Sequence, residues 1–138
     1  MRTIRLPRTI RLPRTIRFSF LAALALLVAA CTDEGPVSGR GTLTATLVSP
    51  NGPEGAAVIQ LAGEGIGTIT AVGGTEVFSE IGATEAQVVL INQSGGELAF
   101  QVAVADTTQP PAVVVVEVAG PDDALRPNTA GYDVEFGR

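Results

Sequence analysis

From Thr42 onward, apolar and polar residues alternate along the chain with a period of two, the spacing at which successive side chains of a strand reach opposite faces. TLTATLV (Thr42–Val48) puts Leu43, Ala45 and Leu47 on one face and Thr42, Thr44 and Thr46 on the other. That is a half-buried strand with threonines suited to its wet side. AAVIQLAG (Ala56–Gly63) groups Ala57, Ile59 and Leu61, and ELAFQVAVAD (Glu97–Asp106) groups Leu98, Phe100, Val102 and Val104. GYDVEF (Gly131–Phe136) sets Tyr132, Val134 and Phe136 to one side. Two shorter strands are predicted at Thr68–Val72, within the glycine-punctuated EGIGTITAVGG, and at TEVFSE (Thr75–Glu80). EAQVVLINQ (Glu85–Gln93) is apolar on both faces and is predicted inside a sheet, while AVVVVEVA (Ala112–Ala119) is the most strongly β-branched run.

Turn formers separate these runs. They are SPNGPEG (Ser49–Gly55), SGG (Ser94–Gly96), TTQPP (Thr107–Pro111) and the loop GPDDALRPN (Gly120–Asn128), in which one helical turn is expected. About eight short strands with turn signals every 8–12 residues, and no helical periodicity between them, predict an all-β fold. The expected architecture is a single antiparallel β-sandwich over residues 42–138, of immunoglobulin-like or jelly-roll type, with a small closed barrel as the second choice. Phe78, Phe100, Tyr132 and Phe136 are the expected large pieces of an otherwise valine-rich core.

The first thirty residues follow a different pattern. All six basic residues there are arginines, Arg2, Arg5, Arg8, Arg11, Arg14 and Arg17, carried on a twice-repeated RTIRLP and a truncated third copy. An apolar run of about 13 residues, Phe18 to Ala30, comes next, within the range of a signal-peptide h-region and shorter than the roughly 20 residues of a membrane span. Residues 1–30 therefore read as a cleaved export signal. The prolines at 7 and 13 break any long helix, and the repeat is best read as a lengthened n-region. The apolar run closes on Cys31, the single cysteine of the chain, so no intramolecular disulfide can form. The polar, glycine-rich stretch that follows reads as a tether over residues 31–41.

LVAAC, with Leu27, Val28, Ala29 and Ala30 before Cys31, resembles the lipobox of bacterial lipoproteins. The resemblance implies a diacylglyceryl group on the Cys31 thiol, cleavage just before it, and a membrane partner reached through acyl chains, enough for stable anchoring. The alternative is an ordinary signal peptidase site at VAA and a core cysteine. In the Gram-negative sorting pattern that the motif resembles, aspartate after the cysteine favours the inner membrane. Thr32 stands there, which implies the outer membrane of the cell envelope.

Charge narrows the function further. Beyond Cys31 only Arg40, Arg126 and Arg138 oppose fourteen carboxylates, a balance of about −11 with no lysine and no histidine. Nucleic acid is excluded as a partner by its phosphate backbone. Without histidine, a Ser–His–Asp or Cys–His centre cannot be built, nor can a His-based zinc site. The glycines of GEGIG (Gly63–Gly67) lack the lysine of a phosphate loop and read as tight turns. There is no tryptophan to form a sugar platform for a glycosidase. A non-catalytic protein is expected, with no cofactor. Asp122 and Asp123 form the most concentrated acidic pair and are the candidates for calcium, but they fall short of the six to eight oxygens that the ion takes. The preferred reading pairs Asp122 or Asp123 with Arg126, pinning the loop before the last strand.

The body, with LAFQVAV followed by AVVVVEVAG, resembles the cohesin and carbohydrate-module group of bacterial surface sandwiches, and also the small single-domain lipoproteins of Gram-negative bacteria. The first resemblance implies a protein- or glycan-binding module and carries over no binding residue. The expected function is therefore a lipid-anchored envelope protein presenting an acidic β-sandwich for protein interaction or a structural role. A glycan-binding module is the alternative, to be favoured by stacking aromatics.

Overall fold

The structure is a computed structural model that describes residues 38–138. Within them the chain forms eight strands and no helix: β1 (Gly41–Val48), β2 (Glu54–Ala62), β3 (Ile69–Ala71), β4 (Glu76–Ile81), β5 (Glu85–Gly96), β6 (Ala99–Val104), β7 (Ala112–Ala119) and β8 (Asp133–Gly137). They make two four-stranded sheets, in the orders β3-β6-β1-β8 and β4-β5-β2-β7, with every pairing antiparallel. The sheets pack face to face as a sandwich, not as the single closed sheet of a barrel.

The core lies between the sheets and follows the period-two pattern. Leu43, Ala45 and Leu47 of β1 and Phe100, Val102 and Val104 of β6 meet Ala57, Ile59 and Leu61 of β2 and Ala86, Val88 and Leu90 of β5. Phe100, Ile59, Leu61 and Leu90 are wholly buried, and each such side chain contributes about 1.5–3 kcal/mol by leaving water. Thr75, just before β4, stitches the two sheets. Its hydroxyl donates to the Glu97 carbonyl at 3.2 Å and accepts from the Ala99 N–H at 3.3 Å, so a buried polar side chain is satisfied on both counts.

Three sequence expectations change. SGG is not a turn, because β5 runs on through Gly96, which pairs with Glu54. The Gly120–Asn128 loop holds no helical turn; the chain reverses there and Leu125 bridges back to Ala119. Phe78 is not in the core but is 59% exposed. The reason is parity: in β4, Phe78 shares its face with Glu76 and Glu80, so burying it would bury two carboxylates with no cation on the strand. Val77, on the opposite face, packs against the core instead.

The ends of the sandwich differ in what they carry. At one end the chain enters β1, where Thr107 N–H donates to the Gly39 carbonyl at 2.9 Å. Asp106 accepts there from the Thr108 hydroxyl at 2.7 Å, the Thr108 N–H at 2.9 Å and the Gly39 N–H at 3.3 Å. The Thr108 hydroxyl and N–H, with the Gly39 N–H, hold the Asp106 carboxyl below its ordinary range. The opposite end gathers the β1–β2 turn, the start of β2 and the loop from β7 to β8.

Candidate functional site

The distal end is built around a buried carboxylate. Glu54 opens β2 and is 1% exposed. Its Oε2 accepts from Arg126 Nη2 at 2.7 Å and Nε at 3.0 Å, a forked guanidinium contact. Its Oε1 accepts from the Tyr132 hydroxyl at 2.5 Å and the Ser49 hydroxyl at 2.8 Å. The Tyr132 oxygen in turn accepts from Asn51 Nδ2 at 2.8 Å, and Ser49 Oγ from the Asn51 N–H at 3.0 Å. Burial alone would raise the Glu54 pKa. The hydrogen bonds from Arg126, Tyr132 and Ser49 outweigh it and hold the carboxyl below its ordinary value. The same pair raises the pKa of Arg126.

Two glycines let this cluster close. A Cβ on Gly55 would lie 2.5 Å from the Gly120 carbonyl oxygen, and one on Gly120 would lie 2.6 Å from Asp122 Oδ1 and 2.9 Å from Arg126 Nη2. Both carboxylate oxygens are filled by donors of the protein, and no face of the group is open to a substrate. The cluster is a latch that ties the β1–β2 turn to the β7–β8 loop.

Arg126 is therefore paired, but with Glu54 rather than with Asp122 or Asp123. The two aspartates shape the turn instead. Asp122 Oδ1 accepts from the Ala124 N–H at 3.4 Å, and the Asp123 N–H donates to the Gly120 carbonyl at 3.1 Å with φ of 60°. That left-handed conformation is one aspartate tolerates better than most residues. Among the described residues no three acidic or cysteine side chains come together as a metal ion needs, the calcium candidates included. Cys31 and the lipobox residues Leu27, Val28, Ala29 and Ala30 lie outside the described residues. Among the described residues no helix is long and apolar enough to cross a membrane.

The open surface of interest is the outer face of the β4-β5-β2-β7 sheet. The two outer faces of the sandwich contrast. On the β3-β6-β1-β8 sheet the outward residues are mostly polar, Thr42, Thr44, Thr46, Gln101, Thr70, Asp133 and Glu135, with Val48 and Ala103 among them. On the other sheet a cross-strand row runs Phe78–Val89–Val58–Glu117, apolar for three of its four strands. Leu125, 64% exposed, folds over one end of this row beside Val58, Val89 and Glu117. Val114 and Val116 of the edge strand β7 are 59% and 51% exposed. The next row, Glu80–Gln87–Gln60–Val114, is polar for three strands. Its Glu80, Gln87 and Gln60, with Glu85 and Val116, line a shallow hollow of about 390 Å³. Gln60 Nε2 donates to Glu85 Oε2 there at 3.4 Å. A contiguous apolar strip on a solvent face is the usual mark of an interaction surface.

β5 lies inside its sheet, as its two apolar faces predict, and its inner face gives Ala86, Val88 and Leu90 to the core. On the outer one, Val89 and its neighbour Val58 are half-buried and Phe78 is exposed. The signal was legible in the sharing of one face by Phe78, Glu76 and Glu80. The buried Glu54 was missed, since its partners lie far along the chain at 126 and 132. Comparison with protein-family models, curated proteins and solved structures finds no match to this chain.

Proposed function

We propose that this is a non-catalytic, lipid-anchored protein of the bacterial cell envelope, held at the outer membrane through Cys31, whose β-sandwich serves protein interaction. The observation that carries the reading is the apolar row on an outer sheet face, exposed Phe78 with half-buried Val89 and Val58, flanked by exposed Leu125 and Val114. The lipobox resemblance of LVAAC supports the anchor. The likeness of the body to surface-binding sandwiches points the same way. The one well-developed polar cluster has both carboxylate oxygens occupied, which leaves it a structural role.

One observation favours the glycan-binding alternative. Phe78 is an exposed aromatic ring with Ser79, Glu80 and Gln87 beside it, the pairing of a stacking face and polar groups that sugars use. A single aromatic makes a small platform, and the aliphatic row beyond it fits a protein better.

The test is cross-linking of the intact protein in its own cells, with Cys31→Ala as the unanchored control. The expected result is one protein recovered in near-stoichiometric amount from the anchored form only. Recovery of no protein, together with binding to defined sugars on an array that Phe78→Ser abolishes, would replace this reading with the glycan one. Radiolabelled fatty acid entering the wild type and not Cys31→Ala is expected; label in neither would remove the anchor.

A further inference from the structure

We infer that the outer face of the β4-β5-β2-β7 sheet docks a cationic protein surface, one that sets an apolar row beside lysine or arginine side chains. This rests on the interaction reading above and names the face and the partner chemistry. The apolar row Phe78–Val89–Val58 runs across three strands, and every charged residue that the sheet's four strands turn outward is a glutamate. Glu76 and Glu80 share the β4 face with Phe78, Glu85 shares the β5 face with Val89, and Glu117 ends the row on β7. No lysine or arginine stands on any of the four strands.

Charge selects among the occupants such a face could take. Residues 38–138 carry twelve carboxylates against three arginines, and Arg126 is held by Glu54. A second copy of this chain, docked face to face, would bring eight glutamates together around the apolar strip, and like charges juxtaposed at an interface oppose association. An anionic lipid surface would meet the same repulsion. A partner with basic side chains reverses the sign. Its cations would enter the hollow between Glu80 and Glu85, where the Gln60 and Gln87 amides add acceptors, while its apolar residues cover Phe78, Val89 and Val58. The apolar strip would supply affinity, and the glutamates orientation and rate. The outer face of the other sheet carries Asp133, Glu135 and Val48 but no apolar row across its strands.

The test uses the full-length protein and a synthetic peptide in which arginine alternates with valine, so that one strand face is basic and the other apolar. A peptide of the same composition with arginines and valines in separate blocks, and a glutamate–valine counterpart, are the controls. The expected result is saturable binding of the alternating peptide, with amide chemical-shift changes confined to β2, β4, β5 and β7. Binding should weaken about tenfold on joint Glu76→Gln, Glu80→Gln and Glu117→Gln substitution, and on Phe78→Ser alone. Glu135→Gln, on the opposite sheet, should leave it unchanged. Equal binding of the blocked peptide, or shifts spread over β1 and β8, would overturn the proposal. So would a dimer in sedimentation that Phe78→Ser dissolves, or attachment of the Cys31→Ala form to phosphatidylethanolamine–phosphatidylglycerol vesicles that the same change abolishes. The peptide reports on the face and the in-cell capture on the function. A captured partner whose recovery ignores Phe78→Ser would sink the face and leave the function standing.

Discussion

Replacing Arg126 with methionine keeps most of the side chain's length and removes its N–H donors from Glu54. In the native protein those donors fill Oε2 at 2.7 and 3.0 Å, and only Oε1 is served by others, Ser49 and Tyr132. The carboxylate is 1% exposed and the Arg126 side chain 27%, so the pair is buried on the glutamate side and borders solvent on the arginine side. Removing the guanidinium leaves a buried carboxylate short of donors, a loss expected above the roughly 0–1 kcal/mol of an exposed pair and below the roughly 3–5 kcal/mol of a fully buried one. Against a domain stability of about 5–15 kcal/mol, Arg126→Met is expected to cause a loss that unfolding experiments resolve. Removing both partners is a different perturbation. Glu54→Leu with Arg126→Met deletes the buried charge and its counterion together, and such exchanges are often close to neutral. Tyr132 keeps a hydrogen bond from Asn51 in that variant. Urea unfolding followed by circular dichroism measures both variants, with unchanged m-values required for the comparison. The reasoning predicts that the double variant is more stable than Arg126→Met alone. If Arg126→Met loses less than about 1 kcal/mol, as an exposed pair would, or if the double variant loses the sum of the two singles, the latch is not a coupled buried pair.

The same latch sets a pH dependence. Glu54 has a folded pKa below its ordinary 4.5, so the stability it contributes is fully present above that value and is lost as pH falls through the folded one. Urea midpoints should decline on acidification below 4.5, and less steeply in Glu54→Gln; equal slopes would contradict the assignment. Gly55→Ala should lower the melting temperature, because the new methyl would stand 2.5 Å from the Gly120 carbonyl oxygen and overpacking of this kind destabilises by about 1–3 kcal/mol; an unchanged melting temperature would show that the loop yields freely. Phe78→Ser should change stability by no more than about 0.5 kcal/mol, whereas Phe100→Ala should lose about 3–5 kcal/mol; similar losses in the two would mean that Phe78 is covered after all.

What the sequence determined by itself is local. The period-two runs place β1, β2, β6 and β8 and orient their buried residues, because alternation is a property of a single strand and needs no partner to be read. Tyr132, Val134 and Phe136 do face inward, and EAQVVLINQ does sit inside a sheet. Parity within TEVFSE even carried the information that Phe78 shares its face with two glutamates. Other outcomes depended on which segments the sandwich brings together. Arg126 had acidic neighbours three and four positions away, yet its partner is Glu54, seventy-two positions distant, because the loop before β8 folds over the start of β2. The exposure of the second apolar face of β5 is equally a matter of tertiary structure. A strand's sequence can show that both faces are apolar, but only the number of layers in the fold decides how many of them are covered. Here there are two layers, and on the outer face of the β4-β5-β2-β7 sheet, among the described residues, Phe78 stays exposed and Val89 and Val58 half-buried.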